Sequence, residues 1–258
     1  SCRVLWIDEI SQLDCALWAQ LNKLDVQFLL SGDFNQFRAL FDSWRGSSVE
    51  EGAFQRSPLL HRMAGGYRLT LTTCRRSDSV LFEYYRSLIQ GGTRFIVPLA
   101  TVLAEARQHF HYAGQARHDM CISHRKRMAL NRQLNTRQEG AIFLKAPAAR
   151  GNAAQSMYLY PGIELLGASS GRGLRNNVMY TVEAVTSDSV TLVGGTVLSH
   201  AQTLAFLRLS FARTFASIQG TEFNGSLRLH DTDTAHFTHR HLFVAISRAC
   251  AGTLISVT

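Results

Sequence analysis

Two carboxylates, one amide and a few arginines are spaced along this chain in a pattern suited to phosphate chemistry. The apolar run Val4-Leu5-Trp6-Ile7 ends in adjacent acids, Asp8 and Glu9. In such a pair the first acid can hold Mg2+ through its waters while the second polarises a water for attack on phosphorus. An acidic pair after a strand is equally a common helix N-cap. A second apolar run, Val26 to Leu30, leads through Ser31 into Gly32-Asp33-Phe34-Asn35-Gln36. The neutral amide of Gln36 can bond both a terminal phosphate and a water, and the Gly-Asp pair also suits a surface turn. Arg75 or Arg76, and Arg248, are candidates to pair in-plane with phosphate oxygens and offset the charge that develops during transfer. Arg248 lies in Val244-Ala245-Ile246-Ser247-Arg248-Ala249, which reads as an apolar strand turning abruptly at Ser-Arg-Ala.

Other residues suit a nucleic-acid backbone. Thr214 and Ser217 offer hydroxyls that could bond phosphates or cap a helix, and Gln219-Gly220 supplies a tight turn. The run Ser123-His124-Arg125-Lys126-Arg127, with Asn131 further on, could follow a phosphate chain or form a solvated helix face. The cluster His236, His239 and His241 has no Cys or acidic partner at metal-ligand spacing. No phosphate loop of the form G-x-x-x-x-G-K-[ST] occurs, since Gly171-Arg172-Gly173 lacks the Lys-Ser/Thr end.

Composition fits these partners. The chain has 258 residues, 46% of them apolar and 18% charged, enough to bury a core and unlike a disordered segment. Lys and Arg outnumber Asp and Glu by 27 to 19, a formal charge of +8. That excess favours an anionic partner, nucleic acid before membrane. The five cysteines are scattered without a C-x-x-C pair, which argues for thiols in a reducing compartment and against a disulfide framework or zinc site. No apolar run approaches the roughly 18 residues of a membrane span, and the N-terminus lacks signal-peptide anatomy. A cytoplasmic or nuclear location is expected.

Periodicity places these residues on regular elements. Val4–Ile7 and Val26–Leu30 suit parallel strands covered on both faces. Ile10, Leu13, Leu17, Leu21 and Leu24 mark one helical face between them, completing a βαβ unit. Asp8, Glu9 and Asp33 fall at strand carboxyl ends, where α/β sheets bind ligands. A further α/β segment is expected from about Tyr67. It has a strand at Leu69–Thr73, a helix capped by Ser77-Asp78 with Leu81, Tyr85, Leu88 and Ile89 on one side, and a strand at Cys121–Ser123 before a basic helix from His124 to about Arg137. From Gln155 to Ser199, short β runs at Ile163–Leu166, Val178–Val185 and Val190–Val193 predict a small all-β insertion. The α/β pattern is expected to return at Leu204.

Five segments resemble, in order, motifs II to VI of superfamily 1 helicases. They are Val4–Glu9, Leu30–Gln36, Thr72-Thr73-Cys74-Arg75-Arg76, Ala212–Gly220 and Val244–Ala249. The β insertion, from Tyr160-Pro161-Gly162-Ile163-Glu164 to Asn176-Asn177-Val178-Met179-Tyr180-Thr181-Val182, makes the set similar to the RecD/Pif-like branch. The resemblance implies two RecA-like parallel-sheet domains, the first incomplete, with a small SH3-like β-barrel insertion in the second. Its boundaries would be 1–66, 67–154, 155–199 and 200–258.

It also implies ATP as nucleotide, Mg2+ at Asp8, and 5′-to-3′ movement on single-stranded DNA. Asp8, Glu9, Gln36, Arg75 and Arg248 would be catalytic, with Gly32, Asp33, Gln219, Gly220 and Ser247 around the nucleotide. Thr214, Ser217, His124, Arg125, Lys126 and Asn131 would meet nucleic acid. A phosphate-loop segment upstream in the same protein is the implied partner, without which the chain is expected to be inactive. A superfamily 1 viral RNA helicase and a helicase-like nucleic-acid-binding module without turnover are the rival expectations. The chain departs from the branch at Phe34, where proline is usual, and in T-F-A-S-I-Q-G, which replaces T-x-H-K-S-Q-G.

Overall fold

The computed structural model describes residues 3–39, 42–50, 52–89, 95, 97–147 and 155–258. Cys2 lies outside them. The chain forms two compact units, Ser1–Ala104 with Gln219–Glu222 and Thr238–Gly252, and Glu105–Ile218 with Phe223–Phe237 and Thr253–Thr258. The boundaries expected after residues 66, 154 and 199 divide the chain differently.

The first unit begins with strand β1 (Val4–Ile7), helix α1 (Cys15–Leu21) and strand β2 (Gln27–Leu30). β1 and β2 pair in parallel, with Ile7 opposite Leu30. Asp14 caps α1 by accepting from the Leu17 N–H, satisfying one of the donors a helix start leaves open. Ile7, Phe28 and Leu30 pack inward against Ile10, Trp18, Leu60 and Met63, and Trp18 stacks on Phe54. The opposite face is bare, with Val4, Leu29 and a 67% exposed Trp6. The expected cover on both faces is therefore found on one, among the described residues.

A short hairpin, β3 (Ser43–Trp44) and β4 (Ser47–Ser48), precedes α2 (Pro58–Met63), which Ser57 caps. The strand expected at Leu69–Thr73 does not form. Those residues belong to no strand, and Leu69 and Leu71 stand 85% and 86% exposed. Alternating leucines make a strand only where a ladder and a buried face receive them, and the described residues offer neither. Helix α3 (Ser79–Ser87) follows, capped by Asp78 through the Leu81 N–H, and then α4 (Leu99–His109).

The second unit holds β5 (His118–Cys121) and α5 (His124–Leu134), then the hairpin β6 (Ile142–Leu144) and β7 (Met157–Leu159). Next come β8 (Glu164–Gly167), β9 (Met179–Val185), β10 (Ser189–Leu192), β11 (Val197–Ser199), α6 (His200–Phe206) and β12 (Leu207–Leu209). These strands form an antiparallel sheet in the order β11-β10-β9-β8-β12 over a core that includes Met157, Leu165, Val190 and Leu198. β12 thus belongs to the antiparallel sheet, later than the expected return of the α/β pattern. Parallel order resumes with β13 (Ala212–Thr214) and β14 (Leu227–Leu229).

Helix α7 (His239–Ile246) lies in the first unit, and β15 (Ile255–Val257) completes a parallel sheet, β13-β5-β14-β15, in the second. α7 corrects the sequence reading, which made Val244–Ile246 a strand. Leu242 to Ile246 are all buried, and an apolar run closed in on every side carries no period to tell helix from strand. Thr238 and His241 form a capping box that starts the helix. Among the described residues no helix is long and apolar enough to cross a membrane.

Candidate functional site

In the first unit, parallel pairing of β1 and β2 brings two strand ends together. The Ser31 hydroxyl donates to Asp8 Oδ1 at 2.6 Å and accepts from the Trp6 indole N–H at 2.9 Å. The Ile10 N–H donates to Ser31 O at 3.1 Å. Gly32 is needed where these turns meet, because a Cβ there would lie 2.7 Å from the Ile10 nitrogen and 2.9 Å from Ile10 Cγ1. Backbone on that side cannot yield. Gly32→Ala is therefore expected to lower unfolding free energy by about 1–3 kcal/mol in a urea melt. Unchanged stability would mean that the two turns are not packed in solution.

Glu9 stands between those turns with φ 52° and ψ 44°, the left-handed region that non-glycine residues seldom occupy. Such strain is typical of residues whose side chain must be aimed. Its Oε2 is buried without a hydrogen-bond partner among the described residues. Burial pushes the carboxyl above its usual 4.5, and Arg248 opposes that shift while Asp8 and Asp33 add to it.

Arg248 follows α7 and is 3% exposed. Its Nη2 donates to Gln36 Oε1 at 2.5 Å, and its Nε is buried without a partner. Burial and then the like charge of Arg76 lower its proton affinity, while Glu9 and Asp33 raise it. Asp33 Oδ1 accepts from the backbone and side-chain nitrogens of Asn35, and Asp33 O accepts from the Gln36 N–H. With Oε1 taken by Arg248, the Gln36 amide keeps its NH2 as a donor without a partner among the described residues.

Arg75 and Arg76 part company. Arg76 donates from Nη1 to Ser247 O at 2.9 Å and pairs through Nε with Glu222. Arg75 is exposed and has no side-chain partner among the described residues. Ser247 was expected near the nucleotide, but its hydroxyl is committed to Val244 O and its carbonyl to Arg76. The Gln219 amide donates to Phe37 O at 3.2 Å. Gly220 takes φ 71°, and a Cβ there would come within 3.8 Å of Glu9 Oε1. His239 and His241, from the histidine cluster, bond Val97 O and Thr238 respectively. All the residues expected at the nucleotide thus fall in the first unit.

The residues expected at nucleic acid fall in the second. Arg125 and Lys126 lie exposed on the first turn of α5, which Ser123 caps through the Lys126 N–H. His124 opens that turn, and burial lowers its proton affinity, with Arg127 and Arg208 adding to the effect. Thr214 is buried, and the Ser217 hydroxyl donates to Thr214 O. Asn131 is a correction. It is 0% exposed, accepts from the Ala212 N–H, and donates to the Ala212 and Leu209 carbonyls. Those bonds staple α5 to the strands and leave nothing for a ligand. A cavity of about 490 Å3 in this unit is lined by residues that include Arg117, His118, Tyr160 and Glu164, none of them within the five helicase-like motifs, and Arg117 is already held by Glu164.

Sequence reasoning missed Ser31 and Glu222. Ser31 lay inside a quoted motif, and only strand pairing shows that it touches Asp8. No spacing rule could pair Glu222 with Arg76.

No protein-family model matches the chain, and no curated protein does. Solved structures match it along its length. The Pif1 helicase from Candida albicans is 18% identical, with a TM-score of 0.65 over 99% of this chain and 72% of that one. Bacteroides Pif1 bound to ssDNA is 16% identical, with a TM-score of 0.65 over 99% and 70%. Bacteroides Pif1 in complex with ADP-AlF3 and ssDNA is 15% identical, with a TM-score of 0.62 over the same shares, 99% and 70%. At these identities the likeness is one of fold: the chain is folded like the Pif1 helicases it matches. The parallel sheet within a mixed α/β architecture fits the RecA-like fold expected from the sequence.

Proposed function

We propose that this chain carries the hydrolytic residues and part of the DNA grip of an ATP-dependent, 5′-to-3′ DNA helicase. The observation that carries the proposal is the Gln36–Arg248 hydrogen bond beside Glu9, whose backbone is left-handed and whose Oε2 is buried. A packed scaffold gains little from a buried carboxylate oxygen and a buried guanidinium N–H that both lack a hydrogen-bond partner among the described residues. A hydrolytic site does, because positioned charge is most of what phosphoryl transfer needs. The matched Pif1 structures with ADP-AlF3 and ssDNA support the same ligands here.

In this proposal Glu9 Oε2 orients a water and accepts its proton as oxygen attacks the γ-phosphorus and ADP leaves. The NH2 of Gln36 donates to the γ-phosphate, and Arg248 and Arg75 offset the charge that builds on its oxygens. Asp8 is exposed and oxygen-bearing, with Oδ1 fixed by Ser31, which fits Mg2+ held largely through water. The ion would neutralise phosphate charge. Asp33, Gln219 and Gly220 shape the surroundings of Glu9 and Gln36. The cradle for the phosphates is assigned to an upstream phosphate-loop segment of the same protein, and the bare face of β1 and β2 is where its strand and helix would pack. The polypeptide of these 258 residues, which contains no such loop, is accordingly proposed to be inactive by itself. The antiparallel sheet of β8 to β12 is proposed as the SH3-like insertion.

Single-stranded DNA is the proposed partner of the second unit, along the first turn of α5. The chain should bind an oligo-dT probe weakly in fluorescence anisotropy, with a log–log salt slope of about −0.7 for each phosphate neutralised. Lys126→Gln should flatten that slope by about the same amount. Absence of binding at low salt would remove single-stranded DNA as partner, and a preference for oligo-U would favour RNA.

A further inference from the structure

Arg208 is a cation with no counter-charge among the described residues. It lies mid-way along β12, where Leu207 and Leu209 turn into the core at 1% exposure each. Strand alternation sends Arg208 to the other face. There its Nη2 donates to Asn177 Oδ1 at 3.3 Å. Asn177 is held in place by a left-handed φ of 63° and by its N–H to Gly167 O. A guanidinium has five N–H donors in a rigid fork, and a neutral amide answers only one of them.

The charges around Arg208 are of its own sign. Burial and then the charge of Arg127 lower its proton affinity, and Arg208 acts in the same sense on His124 and Arg213. Arg127 and His124 sit one turn apart on α5, Arg127 buried and His124 at the helix start. A partly desolvated guanidinium answered only by a neutral amide favours an anion beside it. A tetrahedral phosphate oxyanion matches an arginine fork in both geometry and charge.

We propose that Arg208, oriented by Asn177, is a phosphate-binding site of the second unit that takes one backbone phosphate of a nucleic-acid strand. The choice of strand rests on the single-strand proposal above; the phosphate chemistry does not.

Two measurements on the 258-residue chain test the site separately from that proposal. In oligo-dT anisotropy, Arg208→Gln should lose about ten- to a hundredfold in affinity, as expected for a charged hydrogen bond, and its salt slope should flatten by about 0.7. Arg208→Lys should keep the slope yet bind less tightly, since an ammonium retains the charge without the fork. In thermal melts at equal ionic strength, inorganic phosphate should raise the Tm of the parent chain above its value in chloride, and should fail to do so for Arg208→Gln. Parental affinity, slope and phosphate response in a folded Arg208→Gln would overturn the site. If the parent binds no strand but phosphate protects it through Arg208, the phosphate site stands and the strand proposal falls. Should Arg208→Gln not fold, Asn177→Gly keeps the left-handed backbone and removes only the orienting amide. It should weaken strand binding at unchanged salt slope, and parental affinity in that variant would equally overturn the site.

Discussion

Arg248→Ala is expected to cut ATP turnover by about a thousandfold or more while leaving nucleotide affinity nearly unchanged. The assay is made in a polypeptide that joins a phosphate loop to these residues. Two losses combine in the variant. The guanidinium that would meet the γ-phosphate is gone, and Gln36 loses the bond that holds its Oε1 and turns its NH2 outward. Arg248→Lys should be nearly as poor, because an ammonium cannot bond Gln36 and a phosphate oxygen in one plane. Near-parental turnover in both variants would place Arg248 outside the reaction.

Glu9→Gln is expected to slow turnover by about a hundred- to ten-thousandfold, the usual contribution of a positioned base. The same variant should be more stable than its parent at neutral pH. The Glu9 carboxyl holds its proton more tightly folded than unfolded, chiefly because it is buried. That linkage favours the folded state fully below its ordinary value of 4.5 and is lost as pH rises through the raised value. At pH 7 the folded chain therefore bears a desolvated charge that glutamine removes, so Glu9→Gln should melt at a higher temperature. The gain should vanish on acidification below about 4.5, where both proteins are neutral at this position. A variant that is slower and also less stable at pH 7 would mean that Glu9 is a packing residue. Stability given up at a residue that serves the reaction is a common trade.

Much of this was legible in the residues, for reasons that differ by element. β1 and β2 could be placed almost to the residue because each is an apolar run stopped by acids or small polar groups. α5 was legible from Ser123 as cap and the helical period behind it. α7 was not, since a run buried on all sides has no alternation to read. The segment at Leu69–Thr73 has strand composition but meets no ladder among the described residues, so propensity alone misled. The catalytic set was reached by resemblance rather than spacing. Gln36 and Arg248 are 212 positions apart, and nothing local to either shows that they touch. Asn131 looked like a ligand because it follows a basic run, and only its burial reveals a staple. Arg208 was invisible for the opposite reason, since a lone arginine between leucines reads as ordinary strand alternation.

The most direct test of the central claim is single-stranded-DNA-stimulated ATP hydrolysis, measured under single-turnover conditions in the polypeptide joined to a phosphate loop, with and without Glu9→Gln. The expected result is hydrolysis that DNA accelerates and that Glu9→Gln reduces by about a hundredfold or more while ATP still binds. Hydrolysis that proceeds equally well without the Glu9 carboxylate would contradict the assignment of this site.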